Sequence, residues 1–156
     1  MSLEKYLAKR KFDKTKEPPG QLSKKNLSRF VIQKHRASHW HYDFRLEHGG
    51  VLKSWAVPKG VPTESGIKRL AIAVEDHPVE YLTFSGRIPA GHYGAGTVEI
   101  WDQGKWEKIE GSLKSGSLEF KLEGLKLKGE YVLVKLKDGK SWLIFKKRSP
   151  CLSGRE

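Results

Sequence analysis

From Phe30 onward, apolar residues recur at every second position in short runs, and this period of two constrains the fold more than any other feature of the chain. Nine runs carry it: RFVIQKH, HYDFRLE, VLKSWAVP, RLAIAVED, TVEIWDQ, KWEKIEG, SLEFKLE, GEYVLVKL and SWLIFKKR. They are rich in Val, Ile, Leu, Phe and Trp and are separated by turn signals such as HGG, DQG and KDG. No long helical pattern, internal repeat or low-complexity tract interrupts them. About eight closely spaced strands fit a sandwich or a small closed barrel, and closure removes exposed edges.

The segment before Phe30 is different. Residues 1–29 hold nine Lys or Arg against three Asp or Glu, about half of the net charge of +12. Leu3, Tyr6 and Leu7 have the spacing of one short helix, which KEPPGQ cannot continue because proline lacks the donor and clashes with the preceding turn. The organisation expected is a basic arm over 1–29, partly helical or disordered, a single β domain over 30–149 and a tail over 150–156; 156 residues with 37% hydrophobic content suit one core. With Lys and Arg exceeding Asp and Glu by 30 to 18, the domain attracts polyanions, nucleic acid foremost.

A single cysteine, Cys151, excludes an internal disulfide and zinc held by paired cysteines. The N-terminus lacks the apolar run of a signal peptide, and no stretch approaches the roughly 18 apolar residues of a membrane helix. A cytoplasmic protein with no membrane partner is expected.

Four of the six histidines, His35, His39, His41 and His48, fall within QKHRASHWHYDFRLEH. If HYDFRLE is a strand, His41, Asp43, Arg45 and Glu47 share one face, while Tyr42, Phe44 and Leu46 anchor the other in a core. His41-x-Asp43 is then a two-ligand edge, and His35, arriving from the preceding strand, completes a two-histidine, one-carboxylate set with open positions. Such mixed nitrogen and oxygen ligation suits manganese, iron or zinc. His39 and His48 sit in loop-like positions and read better as solvated histidines.

Arg45, Lys59, Arg69 and His77 fall at or near strand ends, and converging cations beside a metal suggest an anionic substrate. Taken singly, Lys59 and Arg69 read as surface charges of a basic protein. His77, in VEDHPVEY, is placed by a following proline on a loop suited to face a site. IPAGHYGAGT is glycine-rich but lacks the Lys-Ser/Thr ending of a P-loop, and it reads as a turn.

In order, FVIQKHRASHWHYDFRLEHGGVLKSWAVPKG, KRLAIAVEDHPVEYLTFSGRIPAGHYGAGTVEIWDQG and LKGEYVLVKLKDGKSWLIFKKR resemble the 3'-phosphoesterase domain of bacterial ligase D and its free-standing relatives. The resemblance covers nearly the whole chain. It implies an all-β fold, a compact closed barrel of about eight strands. It also implies a manganese-dependent site, with other divalent metals as alternatives, that trims DNA 3' ends during non-homologous end joining. A phosphodiesterase step would remove a terminal ribonucleoside and a phosphomonoesterase step the remaining 3'-phosphate. The 3'-hydroxyl left behind would serve a separate ligase or polymerase, with an end-binding protein as a further partner. On this resemblance His35, His41 and Asp43 match the metal ligands, Arg45 and His77 engage the phosphate, with His77 as general acid or electrostatic stabiliser, and Lys59, Arg69, Glu75 and Tyr81 match further site positions. In the arm, Arg10 and Glu17 match nucleic-acid contacts, while Lys11 stands where the family usually carries an acid, a departure that bears on the diesterase step. Ser85 also replaces a commonly acidic residue, and Trp40 a smaller apolar one.

Two rival readings use the same residues. His41-x-Asp43 with His77 and Arg87 vaguely looks like the iron facial triad of 2-oxoglutarate oxygenases, although the chain is short for that fold. A non-catalytic barrel would instead hold single strands with its basic arm and its aromatics, Trp40, Trp55, Trp101, Trp106 and Trp142.

Overall fold

The computed structural model describes residues 3–8, 27–37, 39–89 and 95–148. Arg10, Lys11, Glu17 and Cys151 lie outside the described residues, as do residues 90–94 of the glycine-rich stretch. A short helix α1 (Glu4–Ala8) is followed by nine strands: β1 (Arg29–Arg36), β2 (Trp40–His48), β3 (Val51–Val57), β4 (Lys68–His77), β5 (Gly86–Ile88), β6 (Gly96–Ser112), β7 (Ser117–Gly124), β8 (Lys128–Lys135) and β9 (Ser141–Lys146). A 3₁₀ helix, Val79–Thr83, joins β4 to β5. All pairings between these strands are antiparallel.

Eight strands close a barrel in the order β1-β2-β3-β4-β9-β8-β7-β6, with β6 returning to β1 and β5 lying beside the opening residues of β6. Closure rests on β6. Its residues 97–105 pair with β1 and its residues 104–112 with β7, so one bent strand joins both ends of the ring.

The sequence predicts a break at Asp102-Gln103-Gly104, and the structure has none. Instead the Asp102 carboxylate accepts hydrogen bonds from the backbone N–H groups of Gln103, Leu125, Lys126 and Leu127, tying β6 to the loop after β7. Gly104 is there for close approach, since a Cβ would collide with the carbonyl oxygen of Glu123. TVEIWDQ and KWEKIEG are therefore one strand, and the three-residue β5 is an addition to the strands foreseen.

Alternation divides the apolar residues into two cores. Phe30, Ile32, Phe44, Leu46, Trp55, Phe120, Leu133 and Trp142 point into the barrel and fill it. Val31, Leu52, Val98 and Ile88 point outward and are roofed by Leu3 and Tyr6 of the N-terminal segment and by Val79, Tyr81 and Leu82 of the 3₁₀ helix. The second core holds the 3₁₀ helix and α1 against the outer face of β1–β4. Among the described residues no helix is long and apolar enough to cross a membrane.

Candidate active site

On β1 and β2 the register sets His35 opposite His41, Gln33 opposite Asp43 and Val31 opposite Arg45. Residues opposite one another in an antiparallel pair share a face, so Gln33, His35, His41, Asp43 and Arg45 all emerge on the outside of the barrel. The inward phase is apolar, with Phe44 and Leu46 fully buried, and this fixes the polar row.

The ligating atoms of His35, His41 and Asp43 lie within 4.8 Å of one another. Asp43 Oδ1 is 3.3 Å from His41 Nε2, and Oδ2 is 3.7 Å from His35 Nδ1 and 3.4 Å from Arg45 Nη2. The two imidazole centroids are 4.7 Å apart, with the ring planes tilted by 57°. Burial works to raise the Asp43 carboxyl, but the Arg45 charge and hydrogen bonds with His35 and His41 outweigh it and hold the group well below the usual carboxylate range. Hydrogen bonding to Asp43 raises His41 above an ordinary histidine against the effect of burial. Two ring nitrogens and an ionised carboxylate converging at this spacing fit a divalent metal with open positions.

Arg45 is held from several sides. Its Nε donates to Gln33 Oε1 at 2.7 Å, and its guanidinium lies 4.8 Å over the Tyr81 ring. Gln33, itself fully buried, is locked by donating to the carbonyl oxygens of Tyr81 at 2.8 Å and Phe84 at 3.0 Å. Arg45 Nη1 is buried with no hydrogen-bond partner among the described residues. A cationic donor left in that state, next to a ligand cluster, suits an anion.

His77 lines the same cavity as His35, His41, Asp43 and Arg45. Its Nδ1 is 3.0 Å from the Glu75 carbonyl oxygen, which only accepts, so Nδ1 carries the proton of that bond. The ring packs edge-on against Tyr81 at 4.7 Å and Tyr6 at 5.0 Å. Tyr6 is fully buried, so α1 reaches the site through one aromatic side chain.

His35, His41, Asp43, Arg45, Glu75, His77 and Tyr81, with Ala37, Ala56, Val74 and Ile88, wall a cavity of about 320 Å³. Lys59 and Arg69 stand outside these walls and are joined to each other, Arg69 Nη1 donating to the carbonyl oxygens of Lys59 at 2.6 Å and Gly60 at 3.0 Å. Arg87 is exposed on β5, also outside the walls. Glu47 shares the phase of Asp43 but binds Arg29 instead. His39 and His48 are exposed, as expected for solvated histidines. A larger hollow of about 560 Å³ opens at one end of the barrel among Trp55, Trp106 and Trp142. It lacks a convergent ligand set among the described residues. Gln33 was not singled out from the sequence, yet the alternation that aligns His35 with the site places Gln33 two residues earlier on the same face.

The DNA ligase D 3'-phosphoesterase domain family matches residues 33–135. The chain is 50% identical over 139 residues to a multifunctional non-homologous end joining protein LigD of Pseudomonas aeruginosa, covering 85% of this chain and 16% of that protein. It is 50% identical over 116 residues to a LigD of Mycobacterium tuberculosis, covering 73% of this chain and 15% of the relative. With a LigD of Mycolicibacterium smegmatis it shares 45% identity over 149 residues, 88% of this chain and 19% of the relative. The chain thus spans less than a fifth of the length of these relatives.

Proposed function

Because this chain belongs to the DNA ligase D 3'-phosphoesterase domain family, we propose that it is a manganese-dependent phosphoesterase that prepares DNA 3' ends for non-homologous end joining. Its substrates are primer-template or other DNA 3' ends that carry a terminal ribonucleotide or a 3'-phosphate. The ribonucleoside is removed first and the remaining phosphate second. The observation that carries this reading is the convergence of His35, His41 and Asp43 within 4.8 Å beside the unpartnered, buried Nη1 of Arg45.

A divalent metal held by His35, His41 and Asp43 would supply Lewis acidity at a phosphoryl oxygen. Arg45 binds a non-bridging oxygen through Nη1 and offsets charge that develops there, and Gln33 keeps its fork aimed. Tyr81 underlies that guanidinium and packs on the His77 ring. His77, oriented by the Glu75 carbonyl, stabilises or protonates the leaving oxygen. Lys59 and Arg69 bind flanking phosphates at the rim. Arg10, Lys11 and Glu17 contact the nucleic acid from the arm over 1–29, with the catalytic domain at 30–149. The 3'-hydroxyl product is what a DNA ligase or polymerase consumes, so a partner of that class acts next.

A labelled primer-template ending in one ribonucleotide, incubated with and without manganese, resolves both steps by product length. Asp43→Ala should abolish saturable manganese binding in calorimetry and lower turnover by at least about a hundredfold. Full manganese-dependent turnover in that variant would sink the assignment.

A further inference from the structure

One residue beyond the His35–His41 pair, the register sets Arg36 opposite Trp40. Alternation turns these two, together with Lys34 and Tyr42, to the other side of the strands from the ligand cluster, at the rim where the barrel opens. Of the five tryptophans Trp40 alone is exposed, with 44% of its surface in solvent. Cations surround it: Lys34 Nζ is 4.4 Å and the Arg36 guanidinium 5.2 Å from its ring centroid. The same rim continues through Tyr42, which packs edge-on against Trp101 at 5.7 Å, to Lys126, 4.5 Å over the Trp101 ring. Its acids are few: Glu99, opposite Lys34 on β6, makes no ion pair with it among the described residues, and Asp102 is buried and engaged with backbone N–H groups.

An exposed indole with a guanidinium and an ammonium at its ring is what a single-stranded nucleic acid needs, a π-face for a base and cations for the adjoining phosphate. Ala37, whose N–H donates to the His39 carbonyl, lies between Arg36 of this platform and the ligand cluster's own cavity, which Ala37 itself helps to wall. We propose that Trp40, flanked by Lys34 and Arg36, is a stacking subsite for the nucleotide that neighbours the scissile phosphate on a single-stranded or frayed end. The strand would pass over Ala37, phosphate in the outer cavity and neighbouring base on the rim. A base paired within a duplex is stacked on both faces and cannot reach the indole, so on a primer-template the subsite takes the terminal nucleotide once its pair has frayed. This rests on reading the outer cavity as a site for nucleic-acid ends, but it places recognition on residues outside that cavity.

The test is equilibrium binding by fluorescence anisotropy, in chelator, of the full chain to a labelled single-stranded oligonucleotide and to a blunt duplex. Trp40→Ala should weaken single-strand binding about tenfold, as loss of one stacked base does, and leave duplex binding unchanged. Trp40→Phe, which keeps a ring, should retain most of the affinity, and the double change Lys34→Ala, Arg36→Ala should flatten its salt dependence. Wild-type affinity in Trp40→Ala, an equal loss in Trp40→Phe, or the same loss on blunt duplex would overturn the subsite. Thermal unfolding checks that the variants fold, which the exposure of Trp40 favours. Since binding is read without metal, a chain with no phosphoesterase turnover but Trp40-dependent binding removes the proposed function and keeps the subsite. Normal turnover with no Trp40 dependence does the reverse.

Discussion

Glu47 shows how one alternating row serves two purposes. It follows His41, Asp43 and Arg45 in phase, yet its fully buried carboxylate grips Arg29 through Nε at 2.8 Å, Nη2 at 3.0 Å and the backbone N–H at 3.1 Å. Burial works to raise Glu47, and its hydrogen bonds to Arg29 overcome that and lower it below an ordinary glutamate. A lowered folded value means that the contribution is fully present above the unfolded value, near 4.3, and is lost as pH falls through the folded one. Glu47→Gln should therefore cost about 1–3 kcal/mol at neutral pH, the worth of hydrogen bonds to a charged group. The gap between wild type and variant should close below about pH 4. Urea unfolding at the two pH values checks this, and an equal gap at both would mean that the charge on Glu47 does not matter. The period of two made His41, Asp43 and Arg45 legible because their common face depends only on the backbone. It could not separate Glu47 from them, because which partner a carboxylate meets is decided by a strand distant in sequence. Gln33 was hidden for a related reason: an amide is ordinary in a strand until Arg45 and the Tyr81 and Phe84 carbonyls close around it.

At the level of elements, the largest departure from the sequence pattern is β6. Asp and Gly are turn residues by local preference, and DQG satisfies that preference in isolation. What overrides it is tertiary: Asp102 receives three N–H groups of the loop 125–127 at 2.8–3.1 Å, and the strand runs on beneath it. Asp102→Ala should leave those donors unsatisfied in a buried place and cost about 2–4 kcal/mol, with Asp102→Asn losing less because one acceptor oxygen remains. Chemical denaturation gives both values, and an Ala variant as stable as the Asn variant would mean that the loop finds other acceptors. The remaining strands were legible because each is long enough to show alternation. β5, at three residues, is not; it forms because β6 offers it an edge beside Gly96–Val98. The helix α1 was visible in the spacing of Leu3, Tyr6 and Leu7, but its seat was not, since only the fold brings Tyr6 to His77 and Tyr81.

For the whole molecule the governing quantity is charge. The net charge of +12 is spread unevenly, with seven Lys or Arg and two acids between positions 9 and 26. Cations at the barrel surface lie beside the candidate site, whereas those of the arm are distant from it along the chain. Each phosphate neutralised on a single strand contributes a slope of about −0.7 to the dependence of log affinity on log salt. If the arm and the barrel both contact the nucleic acid, their contributions to that slope add. Replacing the seven cations between positions 9 and 26 by serine should then flatten the slope on a DNA end by several such increments, while Asp43→Ala, measured in chelator, should leave it nearly unchanged. Affinity titrations across a range of salt read both variants against wild type. An unchanged slope after this neutralisation would mean that the cations between positions 9 and 26 have no part in holding the substrate.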